Sequence, residues 1–346
     1  MALNKKELID LTKAVAKASM NPSKKFSYDG TEVSLEALNE IYRNEMKELA
    51  GTFAKYRENK YQVFELIETA IDEILPAKVL QNYGLFADVQ TYAQGDKPVF
   101  KVKISEASKK RAKQFVTRVG LAGRYEVFKL DGYSFEVPTA AYGGAAQIGF
   151  EEFLDGKIEI SDVFDIVLEG LDEAVYREIA KALVTLTGYI PAANSTTQSS
   201  FDEKEMNRLI MTADAYGKST IYCTYEFAAT MIPDANWASD SMKQTKWDTG
   251  YFTSYKGHSV VVLPQSFEDA TNATKVIDPA YAYIIPTGAE KPIKVAFEGA
   301  SAVREVESRE DWSREIQTYK KFGVGIYAAN PGICVYKNTS LTIANA

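Results

Sequence analysis

Residues 161–187, SDVFDIVLEGLDEAVYREIAKALVTLT, have the pattern of one unusually long amphipathic helix. Ser161 is placed to cap its first turn, and Gly188 followed by Pro191 ends it. At about 1.5 Å per residue such a helix is roughly 40 Å long, well beyond the usual three turns. Its apolar stripe consists of Phe164, Val167, Leu168, Leu171, Val175, Ile179, Ala182, Leu183 and Leu186. The fold must therefore bury one side of a long strut.

The N-terminal region also has helical patterns, but in separate pieces. Apolar residues recur at helical spacing in segments 4–19, 34–50 and 60–74, while 21–32 has the composition of a loop. The connections between these segments are polar. We therefore expect helices that share no rich core of their own and form an arm that lies on another part of the protein.

Strand patterns follow the third helix. Apolar and polar residues alternate in 98–104 and 125–130, and a basic stretch, SEASKKRAKQFVTRVGLAG, separates the two. Two strands with a long charged interior do not bury themselves, and no segment next to them in sequence supplies a partner. The pattern predicts an extended excursion from the body of the protein.

The rest of the chain predicts a compact α/β unit followed by long strands. Residues 192–200 have linker composition, and Ser200 with Glu203 has the spacing of a capping box before a helix at 206–217. The other expected elements are strands at 219–224, 257–264 and 280–286, a short helix at 225–232, and, after Pro292, the strand IKVAFEG, a charged turn, the long run REIQTYKKFGVGIYAAN and the terminal strand GICVYK. The fold class is α+β.

Charge is distributed unevenly, although the formal net charge is only -7. Residues 101–130 contain nine basic and two acidic side chains, and residues 151–173 contain nine acidic and one basic side chain. Within one subunit the two fields can neutralise each other as solvated faces. Between subunits they form a self-complementary docking code, because the basic segment of one copy meets the acidic segment of the next.

The sequence contains no recognisable catalytic or cofactor motif. His258 is the single histidine, so a histidine-rich metal site is impossible, and Cys223 and Cys334 lack CxxC spacing and are expected to be buried thiols. A cysteine hydrolase that pairs Cys223 with His258 remains the alternative from another class. The basic run 109–113 can bind phosphates, but it lacks interleaved aromatic residues, so nucleic-acid recognition is the less favoured interpretation.

No apolar run approaches the roughly 20 residues that cross a bilayer, and the start, MALNKKELIDL, is charged where a signal peptide is apolar. We therefore expect a protein made in a cytosol, without membrane contact.

Three stretches carry a resemblance to a known family: residues 139–183 around the long helix, GHSVVVLP, and the end EIQTYKKFGVGIYAANPGICVYKN. From about residue 60 onward the succession of elements resembles major capsid proteins of tailed bacteriophages, which share the Hong Kong 97 (HK97) fold. The resemblance implies the following domains: an N-terminal helical arm at 1–80, an extended E-loop hairpin at 90–137, a peripheral domain at 138–191 and 289–322 with the spine helix at 161–187, and an axial domain at 192–288 and 323–346.

The implied function is structural. The chain is expected to be a non-enzymatic major capsid protein that assembles as hexamers and pentamers into an icosahedral or prolate head shell around double-stranded DNA, without a cofactor. The implied partners are copies of itself, a scaffolding protein, a portal, a decoration protein and DNA bound non-specifically on the inner face. It would be found in the virion after assembly in the host bacterial cytoplasm. An encapsulin-like nanocompartment shell is the alternative within the same fold.

The resemblance also suggests roles for charged residues and glycines. Gly143, Gly144 and Gly149, in the stretch YGGAAQIGFEEFLDG, lie where the E-loop returns to the body and are expected to act as hinges. The expected inter-subunit residues are Lys109, Lys110, Arg111 and Lys113 in the E-loop, with Glu151, Glu152 and Asp155 as the complementary acidic surface. No crosslink between subunits is assigned.

Overall fold

The computed structural model describes residues 5–19, 26–28, 31–33, 35–102, 133–148, 160–231, 240–268, 271–286, 291–307, 314–327 and 331–341. The chain divides into two compact units. The first comprises Met1–Pro98, Glu136–Glu178 and Lys294–Gly325, and the second comprises Val99–Phe135, Ile179–Ile293 and Ile326–Ala346. Among the described helices none has both the length and the apolar character that a membrane span requires.

The described helices are α1 (Lys5–Ser19), α2 (Leu35–Ala50), α3 (Phe53–Tyr83), α4 (Ile160–Thr187), α5 (Glu203–Asp214), α6 (Tyr225–Thr230) and α7 (Asp240–Thr249). The described strands are β1 (Phe26–Tyr28), β2 (Thr31–Val33), β3 (Ala87–Tyr92), β4 (Val99–Val102), β5 (Tyr133–Glu136), β6 (Ala140–Ile148), β7 (Ser195–Gln198), β8 (Ser219–Cys223), β9 (Ser254–Tyr255), β10 (His258–Val262), β11 (Tyr281–Pro286), β12 (Ile293–Glu307), β13 (Arg314–Ile326) and β14 (Cys334–Asn338). The fold is α+β, as predicted.

The three N-terminal helices pack on one another. The expectation that they lack a shared core is wrong, because Leu8 and Leu11 of α1 are buried together with Val63, Ile67 and Ile71 of α3. Helix α3 has 31 residues, about twice the predicted segment, and it continues through a proline. Tertiary packing of its apolar face compensates for a residue that disfavours a helix interior.

A hairpin occupies part of the segment that was expected to be a loop. Strands β1 and β2 are antiparallel, with Phe26 opposite Val33 and Tyr28 opposite Thr31. The sequence carries a signal for this hairpin: aromatic and β-branched residues flank Asp29-Gly30, a dipeptide typical of two-residue hairpin turns.

The first unit contains a four-stranded sheet in the order β3-β12-β13-β6. Strand β6 covers the glycine-rich stretch, which carries no strand signal because Gly and Ala have low strand propensity. It is held by nine antiparallel pairs with β13, from Ala140 opposite Phe322 to Ile148 opposite Arg314. Strand β12 continues to Glu307, across residues that were expected to begin a charged turn. The sheet therefore has two long central strands.

Helix α4 confirms the long predicted helix but starts one residue earlier, so Ser161 lies inside it rather than at its cap. Its described buried residues follow the predicted stripe: Val167, Leu171, Val175, Ile179, Ala182, Leu183 and Leu186. Ile166 and Val184 are exposed. In the first unit, Tyr176 of α4 stacks on Tyr83 of α3, with ring centroids 5.8 Å apart.

The second unit contains a mixed six-stranded sheet in the order β7-β14-β11-β8-β10-β9. Pairs β7–β14 and β8–β10 are parallel, whereas β11 is antiparallel to both β14 and β8. Helix α5 packs against β14, β11 and β8. The core between them includes Met206, Leu209, Phe227, Ile284 and Tyr336.

Two local predictions in this unit are corrected, and one helix was not predicted. The expected linker at 192–200 contains the edge strand β7, which gains its order from pairing with β14. Helix α5 is capped by Asp202 rather than Ser200, because the Asp202 carboxylate accepts from the amides of Lys204 and Glu205 at 2.8 and 3.4 Å. Helix α7 was not predicted, because its sequence, DSMKQTKWDT, has no apolar stripe.

Candidate functional site

Most of the sequence-predicted site residues lie outside the described residues. These are Lys109, Lys110, Arg111, Lys113, Gly149, Glu151, Glu152 and Asp155. The structure describes Gly143 and Gly144, which lie in the middle of β6 opposite Tyr319 and Thr318 of β13. The two described glycines differ in their surroundings. A Cβ on Gly143 would lie 2.5 Å from the Thr318 carbonyl oxygen, whereas a Cβ on Gly144 would have no heavy atom within 4 Å.

The close approach explains a glycine at position 143, while the hinge role of both positions stays a prediction. Beside them lies an open groove of about 520 Å³, lined by residues 143–145, 302–304 and 317–319. Its lining combines small side chains with Tyr319 and Arg304.

A carboxylate on β12 joins the two places where the chain leaves and re-enters the first unit. We call residues 99–135 the excursion, residues 93–98 its entry stem and residues 136–139 its exit stem. Glu298 Oε1 accepts a hydrogen bond from the Gly95 amide of the entry stem at 3.3 Å, and Oε2 accepts one from the Thr139 hydroxyl of the exit stem. The Glu298 side chain is only 11% exposed.

The stems also contact each other directly. The Val137 amide donates to the Pro98 carbonyl at 2.9 Å, and Lys97 lies 3.4 Å from the Glu136 carboxylate. The two contacts differ in solvent exposure: Val137 and Pro98 are buried, whereas both ion-pair side chains are exposed. Neither of them reaches β12. Glu298 therefore connects both stems to the central sheet.

The environment of Glu298 favours its ionised form. The Thr139 hydroxyl contributes most to lowering the pKa of Glu298 from its ordinary value, the Gly95 amide contributes next, and Lys321 of β13, whose Nζ lies 3.7 Å away, adds to the effect. The residue after Glu298 is Gly299, which has a φ of +66° inside a strand. A Cβ there would lie 3.1 Å from the Cβ of Gln94, so a glycine at this position also lets the entry stem approach β12 closely.

A second group of charges attaches helix α3 to the same sheet. Lys320 Nζ of β13 lies 2.6 Å from Asp72 Oδ1 and donates to the Gly299 carbonyl at 2.6 Å. The same Asp72 oxygen accepts from the Ser301 amide at 2.9 Å. One turn earlier on α3, Glu68 accepts from the Val303 amide at 2.8 Å.

The spacing of these contacts has a simple geometric cause. Residues i and i+4 of a helix and residues i and i+2 of a strand are both about 6 to 7 Å apart along the element. Two carboxylates of α3 can therefore accept from two successive amides on one edge of β12. Helix α3 thus supplies acceptors to amides of β12, a strand of 15 residues whose neighbour β3 has only six.

The only histidine of the chain is found in the second unit in a cluster that the sequence did not indicate. His258 Nδ1 lies 3.1 Å from the Ser219 hydroxyl, and Nε2 lies 3.4 Å from Asp214 Oδ2. Asp214 Oδ1 accepts from both the amide and the hydroxyl of Ser219, at 2.9 and 2.8 Å. These bonds link α5, β8 and β10, and they direct the Ser219 hydroxyl proton to the carboxylate rather than to the imidazole.

The cysteines are buried, as predicted. Burial raises the pKa of the Cys223 thiol from 9.0 to about 12, and burial likewise raises that of Cys334 to about 12. A neutral, enclosed thiol is a poor nucleophile. Among the described residues there is no cluster of three or more His, Cys, Asp or Glu arranged to hold a metal ion.

Comparison with known proteins identifies the family. A family model described as SPbeta prophage-derived putative capsid protein YonB matches residues 7–333. No curated protein matches the chain in sequence. The match makes this chain a phage capsid protein, a component of the head shell. It belongs to the YonB family of prophage-derived capsid proteins.

Solved structures of two capsids and of a virus-like particle are similar to the chain at low identity. The mature capsid of bacteriophage PhiM1 is 10% identical with a TM-score of 0.48, over 75% of this chain and 87% of that chain. The capsid of a native GTA particle is 11% identical with a TM-score of 0.49, over 74% and 89%. A virus-like particle from Pyrococcus furiosus is 13% identical with a TM-score of 0.41, over 76% and 97%.

The family assignment confirms the expected phage capsid protein, whose place is the virion and which assembles with copies of itself. The sequence reasoning did not find Glu298, Asp72, Lys320 or the partners of His258. The contacts that define these residues join distant segments: Glu298 is 203 positions from Gly95 and 159 from Thr139, and Lys320 is 248 positions from Asp72. No local motif marks such a pair.

Proposed function

We propose that the protein builds a closed icosahedral or prolate head shell around double-stranded DNA, as hexamers and pentamers, and that it has no catalytic role. The observation that carries this proposal is the capsid family match over residues 7–333. The proposed partners beyond copies of the chain are a scaffolding protein, a portal, a decoration protein and DNA on the inner face. Assembly takes place in the cytoplasm of the bacterial host.

The proposed domains are an arm at 1–80, an E-loop at 90–137, a peripheral domain at 138–191 and 289–322, and an axial domain at 192–288 and 323–346. The sheets support the last two. Every strand of the six-stranded sheet comes from the axial segments, and the two long central strands of the four-stranded sheet begin within 289–322.

We further propose that neighbouring copies recognise each other through the two charged segments. Part of the acidic segment forms ion pairs within the subunit: Asp172 lies 2.7 Å from Lys78, and Glu173 lies 2.8 Å from Arg177. Glu169 is exposed on α4. The code between copies would then rest on the remaining acids, including Glu151, Glu152 and Asp155, facing the basic residues of the excursion.

Charge reversal tests this code. Glutamate at positions 109, 110, 111 and 113 should abolish or misdirect shell formation, seen by negative-stain electron microscopy, while circular dichroism shows a folded subunit. Lysine at 151, 152 and 155 in the same chain should restore part of the assembly. As a control, Lys204→Glu on α5 reverses an exposed charge outside both segments. Normal shells from the fourfold reversal, or equal loss in the control, would contradict the proposal.

The content of the shell is a separate question with its own measurement. Shells purified from an infected or induced host should contain nuclease-protected double-stranded DNA. Shells filled with protein cargo instead would support a nanocompartment, and a small oligomer that never closes would remove the shell assignment itself.

A further inference from the structure

The first five residues of the entry stem, 93–97, have few attachments to the body of the unit. Residues 93–97 are all exposed, and the Asp96 amide bonds only within the stem, to the Ala93 carbonyl at 3.1 Å. The described contacts that connect these residues to the central sheet are the bond from the Gly95 amide to Glu298 and the approach of Gln94 to Gly299. The position of the stem therefore depends on a short stretch of β12.

The exit stem is attached to the same side chain. The Thr139 hydroxyl donates to Glu298 Oε2, while the Gly95 amide donates to Oε1, so each carboxylate oxygen serves one stem. A carboxylate suits this arrangement because both of its oxygens accept, and bonds to a charged acceptor are about twice as strong as neutral ones. Lys321 of β13 also faces Glu298 and stabilises its ionised form.

We propose that Glu298 is a positioning residue that acts as a latch: it holds the entry and exit stems together on β12 and thereby limits the directions in which the excursion can be presented to a neighbouring copy. This inference rests on the proposed function, in which the excursion contacts that copy. The bonds are reversible, because Gly95 is exposed and water can replace the carboxylate there. Opening the latch leaves the buried Val137–Pro98 bond between the stems in place.

The latch makes a local prediction that does not depend on shell formation. Hydrogen–deuterium exchange of the full chain, as unassembled subunits at neutral pH, reports the protection of peptides covering residues 92–98 and 136–141. In Glu298→Gln the charge is lost and only one oxygen accepts, and in Thr139→Val the exit stem loses its donor. Both variants should lower protection in the stem peptides by about tenfold, the equivalent of one charge-assisted hydrogen bond.

Lys97→Met is the matched control. It removes the ion pair between the same two stems, but that pair is exposed, with side chains 77% and 51% accessible, and should change protection by less than about twofold. Glu298→Asp is a second comparison, because it keeps the charge but shortens the side chain, and it should raise exchange in at least one stem peptide. Peptides from α5 and β14 of the second unit should exchange as in the unchanged protein in every variant.

Two outcomes would overturn the latch: unchanged stem protection in both Glu298→Gln and Thr139→Val, or a loss spread evenly over the whole first unit. If Glu298→Gln does not fold, Thr139→Val alone decides the question in the same way. Lower stem protection in Glu298→Gln and Thr139→Val, together with normal shells from the charge-reversal chain, would support the latch and contradict the docking role of the excursion. Unchanged stem protection in both variants, together with failed assembly of the charge-reversal chain, would contradict the latch and support the docking role.

Discussion

Lys320 Nζ lies 2.6 Å from Asp72 Oδ1 although the lysine side chain is only 2% exposed, which places an ion pair between α3 and β13. The ammonium group also donates to the Gly299 carbonyl, and the carboxylate also accepts from the Ser301 amide. One aspartate on a helix thus binds both central strands of the sheet. Its loss would remove the carboxylate partner of a buried ammonium group and the acceptor of a strand amide.

Asp72→Ala should therefore destabilise the subunit by about 2 to 3 kcal/mol, because the Asp72 side chain is 30% exposed but its removal leaves the buried Lys320 ammonium without its charge partner. Lys320→Met should cost less, since an apolar side chain of similar length fills the same enclosed space. Urea unfolding of unassembled subunits measures both. Lys13→Met is the control: it removes an exposed pair with Glu73, next to Asp72, and should change the unfolding free energy by about 0.5 kcal/mol or less. Equal losses of unfolding free energy in Asp72→Ala and Lys13→Met would show that the pair between Asp72 and Lys320 stabilises the subunit no more than the exposed pair does.

The two thiols should be almost inert in the folded protein. A pKa raised from 9.0 to about 12 leaves about a thousandfold less thiolate at pH 8 than an ordinary cysteine has, and burial also blocks access. A colorimetric thiol titration should detect neither Cys223 nor Cys334 in the native subunit and both of them in urea. Fast labelling of a folded subunit would contradict their burial.

The same shift makes stability depend on alkaline pH. Since the folded pKa is above the unfolded one, the contribution of each thiol is fully present below pH 9 and is lost as the pH rises toward about 12. The unfolding free energy should fall over that range. The unfolding free energy of the double variant Cys223→Ala, Cys334→Ala should fall less steeply with pH. Equal slopes for the double variant and the unchanged protein would argue against the raised pKa values.

Replacing the histidine should affect stability and leave assembly intact. His258→Ala removes the bridge from β10 to Asp214 and Ser219, which should lower the unfolding free energy by about 1 kcal/mol. Shells should still form, as judged by electron microscopy. The loss of a measurable hydrolytic activity from a folded His258→Ala or Cys223→Ala subunit would show that the protein has a catalytic function after all.

The sequence was most informative where one regular period runs through many residues. Helix α4 was predicted to within one residue because its apolar stripe repeats over seven turns, and β8, β10, β11 and β14 were predicted because β-branched and aromatic residues cluster in them. Strands β6 and β7 were missed for the opposite reason. Small or polar side chains give them little intrinsic preference, and only a neighbouring strand fixes their conformation.

The candidate site was less predictable than the fold. From sequence alone, a charged residue in a strand, such as Glu298 or Lys320, is predicted to face solvent. Whether it is enclosed depends on which segments pack beside it, and Gly95, Thr139 and Asp72 are all more than 150 positions away from the residue they contact. The Glu298 contacts became visible only with the tertiary structure.

The paired glycines of β6 allow a last test, which separates a packing role from a hinge role. Gly143→Ala would place a methyl group 2.5 Å from the Thr318 carbonyl oxygen, so the strands must shift and stability should fall by about 1 to 3 kcal/mol. At Gly144 a methyl group meets open space, so Gly144→Ala should be neutral or stabilising by about 0.4 to 1 kcal/mol through the unfolded chain. If the pair also acts as a hinge, Gly144→Ala should slow shell assembly or expansion, followed by time-resolved light scattering, although its subunit is as stable as the unchanged protein. Normal assembly kinetics of Gly144→Ala, with loss confined to Gly143→Ala, would mean that strand packing alone accounts for the glycine at position 143.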